Sequence, residues 1–232
     1  MVLTGLRKFH NLVKDLVLKK YTETGKFKLL DLASGKGGDI HKWIKNKNIS
    51  LVKGYDISQV SVIEARNRLS KLKEKKNISF SVKDLGENVL PPTVKYSIIT
   101  SFFAFHYFFK SPETLATILQ SVKNTSKSGT IVLLCLFDGS KVNKLEFPYI
   151  QKDFYIERTL EGIVVGIKDS VLHTPTLEYI VTPMQLKKAF SPEFELLEET
   201  PFEEYYKQIK TPLTEQEKKL SFLNKMYVFK KI

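Results

Sequence analysis

A glycine-rich turn near residue 35 is the first segment of the chain whose residue types could position a ligand. The apolar run at 29–32 is interrupted by Asp31, and the turn that follows contains Gly35, Gly37 and Gly38. Glycine has no Cβ, so a ligand can approach such a backbone closely. The spacing does not fit the phosphate-binding pattern GxxxxGK[ST], and Ile40 replaces the third glycine of the dinucleotide pattern GxGxxG.

S-adenosylmethionine fits this turn better, because its methionine end is zwitterionic and its sulfonium is positive. Asp39, directly after the glycines, would repel a pyrophosphate but is acceptable beside such a ligand. Asp56 ends the predicted second strand, where an acidic residue can bind ribose hydroxyls, and Asp84 follows the third strand, where it could meet an adenine amino group. The alternative is that both aspartates only cap strand ends, which is a common use of this residue.

The elements that would position these residues follow from hydrophobic patterning. Strands are predicted at 27–33, 50–56, 78–83, 96–102 and 130–137, with helices near 38–47, 58–75 and 112–126. Ser58 and Ser111-Pro112 are typical helix starts. Strands that alternate with helices predict an α/β, Rossmann-like, doubly wound parallel sheet with helices on both faces.

The pattern changes after residue 140. Segments 154–173 and 177–182 suggest antiparallel strands, 182–190 a short helix and 224–232 a final strand. We therefore expect one domain over 1–232, in which 1–140 form the cofactor-binding core. Residues 141–232 would add an inserted antiparallel lid on the substrate side and an antiparallel C-terminal edge.

Composition narrows the class of protein. The 232 residues carry a net charge of +12, which favours polyanion partners such as RNA, although a lysine-rich solvated surface would give the same balance. No apolar run approaches the ~20 residues of a membrane helix, so no membrane partner is expected. The single cysteine, Cys135, excludes an internal disulfide and makes a cysteine-based zinc site improbable, which suits a reducing compartment.

Several motifs together resemble one family, the messenger RNA cap guanine-N7 methyltransferases. In chain order they are FHNLVK, DLASGKGGDIHKW, YDIS, FAFHYFF, LEYIV and MYVFKKI, and they span the chain from about residue 7 to its C-terminus. The resemblance extends to the methyltransferase domain of capping enzymes of large cytoplasmic DNA viruses such as African swine fever virus. It departs from the family at Ala33-Ser34, where Gly-Cys is frequent, at Phe102, where Gln is usual, and at Phe137, where Pro is usual.

This resemblance implies the cofactor and the residues that contact it. The cofactor would be S-adenosylmethionine, with Lys14 and Asp31 at its methionine end, Asp56 at the ribose and Asp84 at the adenine. The full set of implied cofactor contacts is Lys14, Asp31, Ala33, Gly35, Asp56, Ile57, Asp84, Leu85, Phe102 and Tyr107.

On the substrate side, the family resemblance implies capped RNA. Lys36, Lys42 and Arg68 would suit the triphosphate bridge. The full set of implied cap contacts is His10, Asn11, Lys36, Lys42, Arg68, His106, Tyr107, Glu178 and Tyr227. Guanine N7 carries a lone pair and no proton, so neither a general acid or base nor a metal is expected, and catalysis would rest on proximity and orientation.

Each cap contact has a simpler alternative when it is considered without the family. His106 could be a core histidine, Lys42 and Arg68 could be solvated charges, Glu178 could be a surface carboxylate, and the face of Tyr227 is undetermined. Two other functions stay open: a methyltransferase that acts on another RNA or a small molecule, and a non-catalytic RNA-binding or stimulatory domain. The resemblance also implies a cytoplasmic protein, in the host cytoplasm or virion if viral, fused to or associated with triphosphatase and guanylyltransferase domains.

Overall fold

A computed structural model describes residues 3–73, 77–167 and 175–232. The helix predicted at 58–75 and the strand segment predicted at 154–173 each extend into residues outside these ranges. Seven strands form the central sheet, in the spatial order β10-β11-β5-β4-β1-β2-β3. They are β1 (Phe27–Leu32), β2 (Ile49–Asp56), β3 (Asn77–Val82), β4 (Tyr96–Phe102), β5 (Ser126–Phe137), β10 (Phe194–Pro201) and β11 (Asn224–Lys231).

The pairing of these strands confirms the predicted fold class. β1 pairs in parallel with both β2 and β4, β2 with β3, and β4 with β5, whereas β11 is antiparallel to β5 and to β10. The chain order reverses between β1 and β4, which is where open α/β sheets form a ligand crevice beyond their carboxyl ends. The five parallel strands were all predicted, with ends that agree within four residues.

Helices cover both faces of the sheet. They are α1 (Thr4–Lys20), α2 (Ile40–Lys45), α3 (Gln59–Ser70), α4 (Pro112–Thr125), α5 (Gly139–Val142), α6 (Pro183–Phe190), α7 (Phe202–Ile209) and α8 (Glu215–Ser221), with a 3₁₀ helix over Phe105–Lys110. The predicted caps are present, since the side chains of Ser58 and Ser111 accept from the backbone N–H three residues later. Among the described residues, no helix combines the length and the apolar character that a membrane span requires.

Two apolar cores lie on opposite faces of the sheet because side chains alternate along each strand. One contains Phe9, Trp43 and Val228 and joins α1, α2, α3 and α7 to the sheet. The other contains Phe190 and Tyr227 and lies beneath α4 and α6. The alternation along β11 thus directs Tyr227 away from the face that carries α1.

A second, antiparallel sheet corresponds to the predicted inserted lid. Its strands follow the order β6-β7-β8-β9 and are β6 (Tyr149–Ile150), β7 (Phe154–Arg158), β8 (Ile163–Ile167) and β9 (Thr176–Glu178). A third apolar cluster joins this sheet, through Phe154 and Ile156, to Leu6 of α1 and Leu220 of α8. The lid is therefore packed against the start of the chain.

Three elements near the C-terminus were not predicted from the sequence, namely β10, α7 and α8. In β10 the sequence FELLEETP has no continuous apolar run, because this is an edge strand with one partner. Helices α7 and α8 are only 8 and 7 residues long. Such short segments carry few periodic apolar positions, so their pattern is hard to distinguish from that of a loop.

Candidate active site

The glycine-rich turn after β1 has the backbone conformation that its composition suggested. Gly35 and Gly37 have φ values of 52° and 69°. A Cβ on Gly37 would lie 2.7 Å from Ile40 Cδ1 and 3.0 Å from Ala65 Cβ, so only glycine fits at that position. Ala33 also has a positive φ, 58°, which is costly for a residue with a Cβ and agrees with the frequent glycine of the family at this position.

Asp56, at the end of β2, holds this turn from the neighbouring strand. Its Oδ2 accepts from the Gly35 backbone N–H at 2.7 Å, and its Oδ1 accepts from the Ser58 N–H at 2.9 Å. Asp56 therefore does cap backbone groups, as the simpler alternative required. It also lines a cavity, so the two roles are not exclusive.

This cavity, of about 230 Å³, lies beyond the carboxyl ends of β1, β2 and β3. Six of the predicted cofactor contacts line it: Ala33, Asp56, Ile57, Asp84, Leu85 and Tyr107. Phe108 and Thr114 also line it and were not predicted. We refer to it below as the cofactor cavity.

The remaining predicted cofactor contacts lie outside the lining of this cavity: Lys14, Asp31, Gly35 and Phe102. Asp31 is buried in β1, where its Oδ1 accepts from Thr100 Oγ1 of β4 at 2.6 Å. Burial, reinforced by the nearby Asp39 carboxylate, raises the pKa of Asp31 to about 7. Phe102 packs against the core, with the Lys14 ammonium 5.6 Å from the centre of its ring.

Asp39 joins α1 to the glycine turn, a role that the sequence did not suggest. Its Oδ1 lies 2.7 Å from Lys14 Nζ and 2.6 Å from Lys42 Nζ, and Lys42 also donates to Asn11 Oδ1 at 2.7 Å. Burial opposes ionisation of Asp39, but the two lysines together lower its pKa. Lys42 is only 11% exposed, so it belongs to this network and is not a solvated surface charge.

A second cavity, of about 160 Å³, lies between α1, the end of β4, the lid and the start of β11. It is lined by three predicted cap contacts, His10, His106 and Glu178. The other lining residues are mostly apolar and were not predicted as contacts: Leu6, Phe103, Leu136, Phe137, Val165, Ile167, Leu220 and Asn224. We refer to it below as the base cavity.

His106 and Glu178 face each other in the base cavity. His106 Nε2 lies 3.6 Å from Glu178 Oε2, which is too far for a hydrogen bond, and neither ring nitrogen of His106 has a partner among the described residues. Burial lowers the pKa of His106 to about 3 and raises that of Glu178 to about 7. The imidazole is therefore neutral at neutral pH, and the carboxyl lies near its titration midpoint.

His10 forms the wall of the base cavity on the side of α1. Its ring stacks on Phe103 with centroids 4.9 Å apart and 12° between the planes, and its Nε2 lies 2.9 Å from Ser221 Oγ. Burial, together with the Lys14 charge, lowers the pKa of His10 to about 3. Phe103 has a positive φ of 59°, a conformation that bulky residues rarely adopt.

Five predicted cap contacts line neither cavity: Asn11 and Lys42, which belong to the Asp39 network, and Lys36, Arg68 and Tyr227. Lys36 and Arg68 share the carboxylate of Glu64, with Lys36 Nζ 3.3 Å from Glu64 Oε2, and both cations are partly exposed. Tyr227 is 1% exposed and lies in the core beneath α4 and α6. Asn224 is the residue of the last strand that lines the base cavity.

Solved structures with the same architecture include methyltransferases of low sequence identity. A S-adenosylmethionine-dependent methyltransferase from Clostridium acetobutylicum is 15% identical, with a TM-score of 0.62 over 99% of this chain and 92% of that one. The CcbJ methyltransferase from Streptomyces caelestis is 12% identical, with a TM-score of 0.68 over 100% and 97%. This chain therefore has the fold of S-adenosylmethionine-dependent methyltransferases.

Sequence comparison specifies the family within this fold. The family model described as mRNA (guanine-N(7))-methyltransferase domain matches residues 2–153, and the chain belongs to this family. An mRNA cap guanine-N(7) methyltransferase from Cryptococcus neoformans is 30% identical over 56% of this chain and 22% of that protein. The protein of the same name from Saccharomyces cerevisiae is 27% identical over 88% and 53%. This chain therefore spans between about a fifth and about half of these relatives.

Proposed function

We propose that this chain transfers a methyl group from S-adenosylmethionine to N7 of the guanosine cap of RNA. The observation that carries the proposal is the adjacency of the two cavities across the 3₁₀ helix after β4. Tyr107 lines the cofactor cavity, and its chain neighbour His106 lines the base cavity. A direct transfer requires the methyl group and N7 to be in van der Waals contact, so the two ligands would have to meet beside this segment.

The residues of the cofactor cavity fit S-adenosylmethionine. Asp56 would accept from ribose hydroxyls, Asp84 from the adenine amino group, and Ile57 and Leu85 supply apolar surface for the base. The buried carboxyl of Asp31 is suited to the ammonium of the methionine end, because a nearby cation favours its ionised form. The cofactor, when bound, supplies an electrophilic methyl group on a sulfonium.

Guanine N7 needs no general base to attack the methyl group. The residues of the base cavity therefore have to orient guanine and stabilise the positive charge that forms on its ring. Methylation places positive charge on the guanine ring. Glu178 can accept from the N1–H and the 2-amino group, and these hydrogen bonds become stronger as the ring becomes cationic. The neutral imidazoles of His10 and His106 add no positive charge that would repel the ring.

We propose that the triphosphate bridge of the cap interacts with basic groups near the glycine turn. Lys36 and Arg68 are close together through their shared Glu64 and are partly exposed, as contacts to a triphosphate require. The net charge of +12 supports a polyanionic substrate.

The wider biological setting is also proposed. The curated relatives named above are fungal, so an origin in a large DNA virus rests on the motif resemblance alone. Association with triphosphatase and guanylyltransferase activities follows from the same resemblance, as does a cytoplasmic location. The buried free thiol of Cys135 is compatible with a reducing compartment.

The decisive experiment is methyl transfer from labelled S-adenosylmethionine to RNA that ends in an unmethylated guanosine cap, with uncapped RNA alongside. We expect cap-dependent incorporation at N7 that is lost in Asp56→Ala and kept in Glu195→Ala, a control at an exposed carboxylate on β10. Incorporation into uncapped RNA would favour another methyl acceptor. Failure to bind the cofactor at all would favour a non-catalytic RNA-binding domain.

A further inference from the structure

Asn224 is a polar side chain at the base cavity that no sequence motif selected. It begins β11, pairs with Phe137 of β5 and is only 3% exposed. Both Asn224 and Phe137 line the cavity, so the start of the last strand forms one of its walls. A buried amide at such a place must have its donor and acceptor groups satisfied by the protein or by a ligand.

The orientation of this amide follows from its partners. Nδ2 of Asn224 lies 3.1 Å from the Ser221 carbonyl oxygen and 3.3 Å from that of Leu220, at the end of α8. Carbonyl oxygens only accept, so the nitrogen, and not the oxygen, must point toward α8. Within the described ranges, the side-chain hydrogen bonds of Asn224 use Nδ2, which leaves Oδ1 as the atom of this amide that can accept from a ligand.

The polar groups of the cavity can now be compared with the edge of guanine. On its Watson–Crick edge guanine presents one acceptor, O6, and two kinds of donor, the N1–H and the 2-amino group with its two hydrogens. Among the lining side chains, the Glu178 carboxylate and Asn224 Oδ1 can accept, and the neutral imidazole of His106 can donate through one nitrogen and accept through the other. These groups can satisfy the whole edge of guanine, whereas a base without a 2-amino group would leave Asn224 Oδ1 without a partner.

We propose that Asn224 Oδ1 accepts a hydrogen bond from the 2-amino group of the cap guanine and helps to select guanine over bases that lack this group. The proposal rests on the proposed function and specifies how its substrate is recognised. A carboxylate that accepts from N1–H and one amino hydrogen leaves the second amino hydrogen for Asn224. Without that partner, this hydrogen would stay unpaired in a buried site, which is how polar recognition excludes competitors.

The test compares RNA with a guanosine cap and RNA with an inosine cap, which differs only by the missing 2-amino group. We expect the wild-type protein to have the higher kcat/KM for guanosine-capped RNA. In Asn224→Leu the ratio of the two kcat/KM values should fall about tenfold, as expected for loss of one buried hydrogen bond. The control Asn143→Ala, an exposed asparagine outside the base cavity, should keep the wild-type ratio.

A second variant allows for the packing role of Asn224. In Asn224→Ser the hydroxyl can still donate to a carbonyl of α8, but the shorter side chain no longer places an acceptor at the position of the amide oxygen, so the ratio should fall here too. An unchanged ratio in both variants, or no preference in the wild type, would overturn the inference and leave the proposed function intact. Failure of the wild type to methylate guanosine-capped RNA would overturn both.

Discussion

Replacement of Glu178 by glutamine should stabilise the ligand-free protein at high pH and leave it unchanged at low pH. Burial raises the pKa of this carboxyl from 4.5 to about 7, so the folded state binds its proton more tightly than the unfolded state. The free energy of unfolding must then fall as the pH rises from about 4.5 through about 7. At about 1.36 kcal/mol per pKa unit, the cost reaches about 3 kcal/mol above pH 8. Glutamine is neutral at every pH and avoids this cost.

The assay is urea unfolding of wild type and Glu178→Gln at about pH 5 and about pH 8.5. We expect similar free energies of unfolding at the lower pH and a variant more stable by about 2 to 3 kcal/mol at the higher pH. His10 and His106, whose pKa values are lowered to about 3, act in the opposite direction, because stability is lost as the pH falls below about 6.5. Both proteins contain these histidines, so the comparison cancels them.

The result that would refute this reasoning is a stability difference that does not change with pH. A matched substitution, Glu195→Gln, places the same chemical change on an exposed carboxylate and should show no such pH dependence. The same Glu178 variant tests the proposed catalytic role. It should lower turnover on capped RNA far more than it weakens cofactor binding, and equal losses would contradict differential stabilisation of the methylated ring.

Other substitutions test the network around the glycine turn. Asp56→Ala should weaken cofactor binding more than tenfold in calorimetry, because it removes both a ligand contact and an anchor of the turn; an unchanged Kd would exclude this role. Asp39→Asn leaves the ammonium groups of Lys14 and Lys42 with a neutral partner and should lower the free energy of unfolding by about 3 kcal/mol in urea; a loss below about 0.5 kcal/mol would mean that solvent compensates them. Ala33→Gly should change stability by less than about 1 kcal/mol, whereas Ala33→Val should destabilise by more than that, since a β-branched residue tolerates positive φ poorly; equal thermal shifts would contradict a backbone origin.

The five parallel strands and helices α2, α3 and α4 could be predicted because each has a local signal, whereas α1 and the 3₁₀ helix after β4 were not among the predicted elements. Buried parallel strands are continuous apolar runs, and the two serine caps mark helix starts in the sequence itself. Lid strands β7, β8 and β9 overlap the segments predicted at 154–173 and 177–182, whereas the two-residue strand β6 was not predicted. Edge strand β10 and helices α7 and α8 were missed because their formation depends on packing against β11 and α1, which no local window contains.

The position of a site residue could be predicted where the residue lies at a strand end, but not where tertiary contacts determine its surroundings. Asp56 and Asp84 lie at the cofactor cavity because the carboxyl ends of parallel strands meet at one edge of the sheet. The ion pair of Asp39 could not be predicted from the sequence, because its partner Lys14 is 25 residues away on another helix. Assignment of the last-strand contact depends on which face each residue occupies, and the register with β5 directs Asn224, and not Tyr227, to the base cavity.

The titratable side chains of the two cavities are in different states, and the difference fits the ligand proposed for each cavity. In the cofactor cavity, Asp56 accepts from backbone N–H groups with both carboxylate oxygens, so the acceptors that we propose for the ribose hydroxyls are held in place before a ligand binds. In the base cavity, burial keeps the two histidines neutral and leaves Glu178 close to its titration midpoint. A cationic guanine in the base cavity would favour the ionised form of Glu178. The proposed position of Glu178 is therefore next to the ring on which methylation places positive charge.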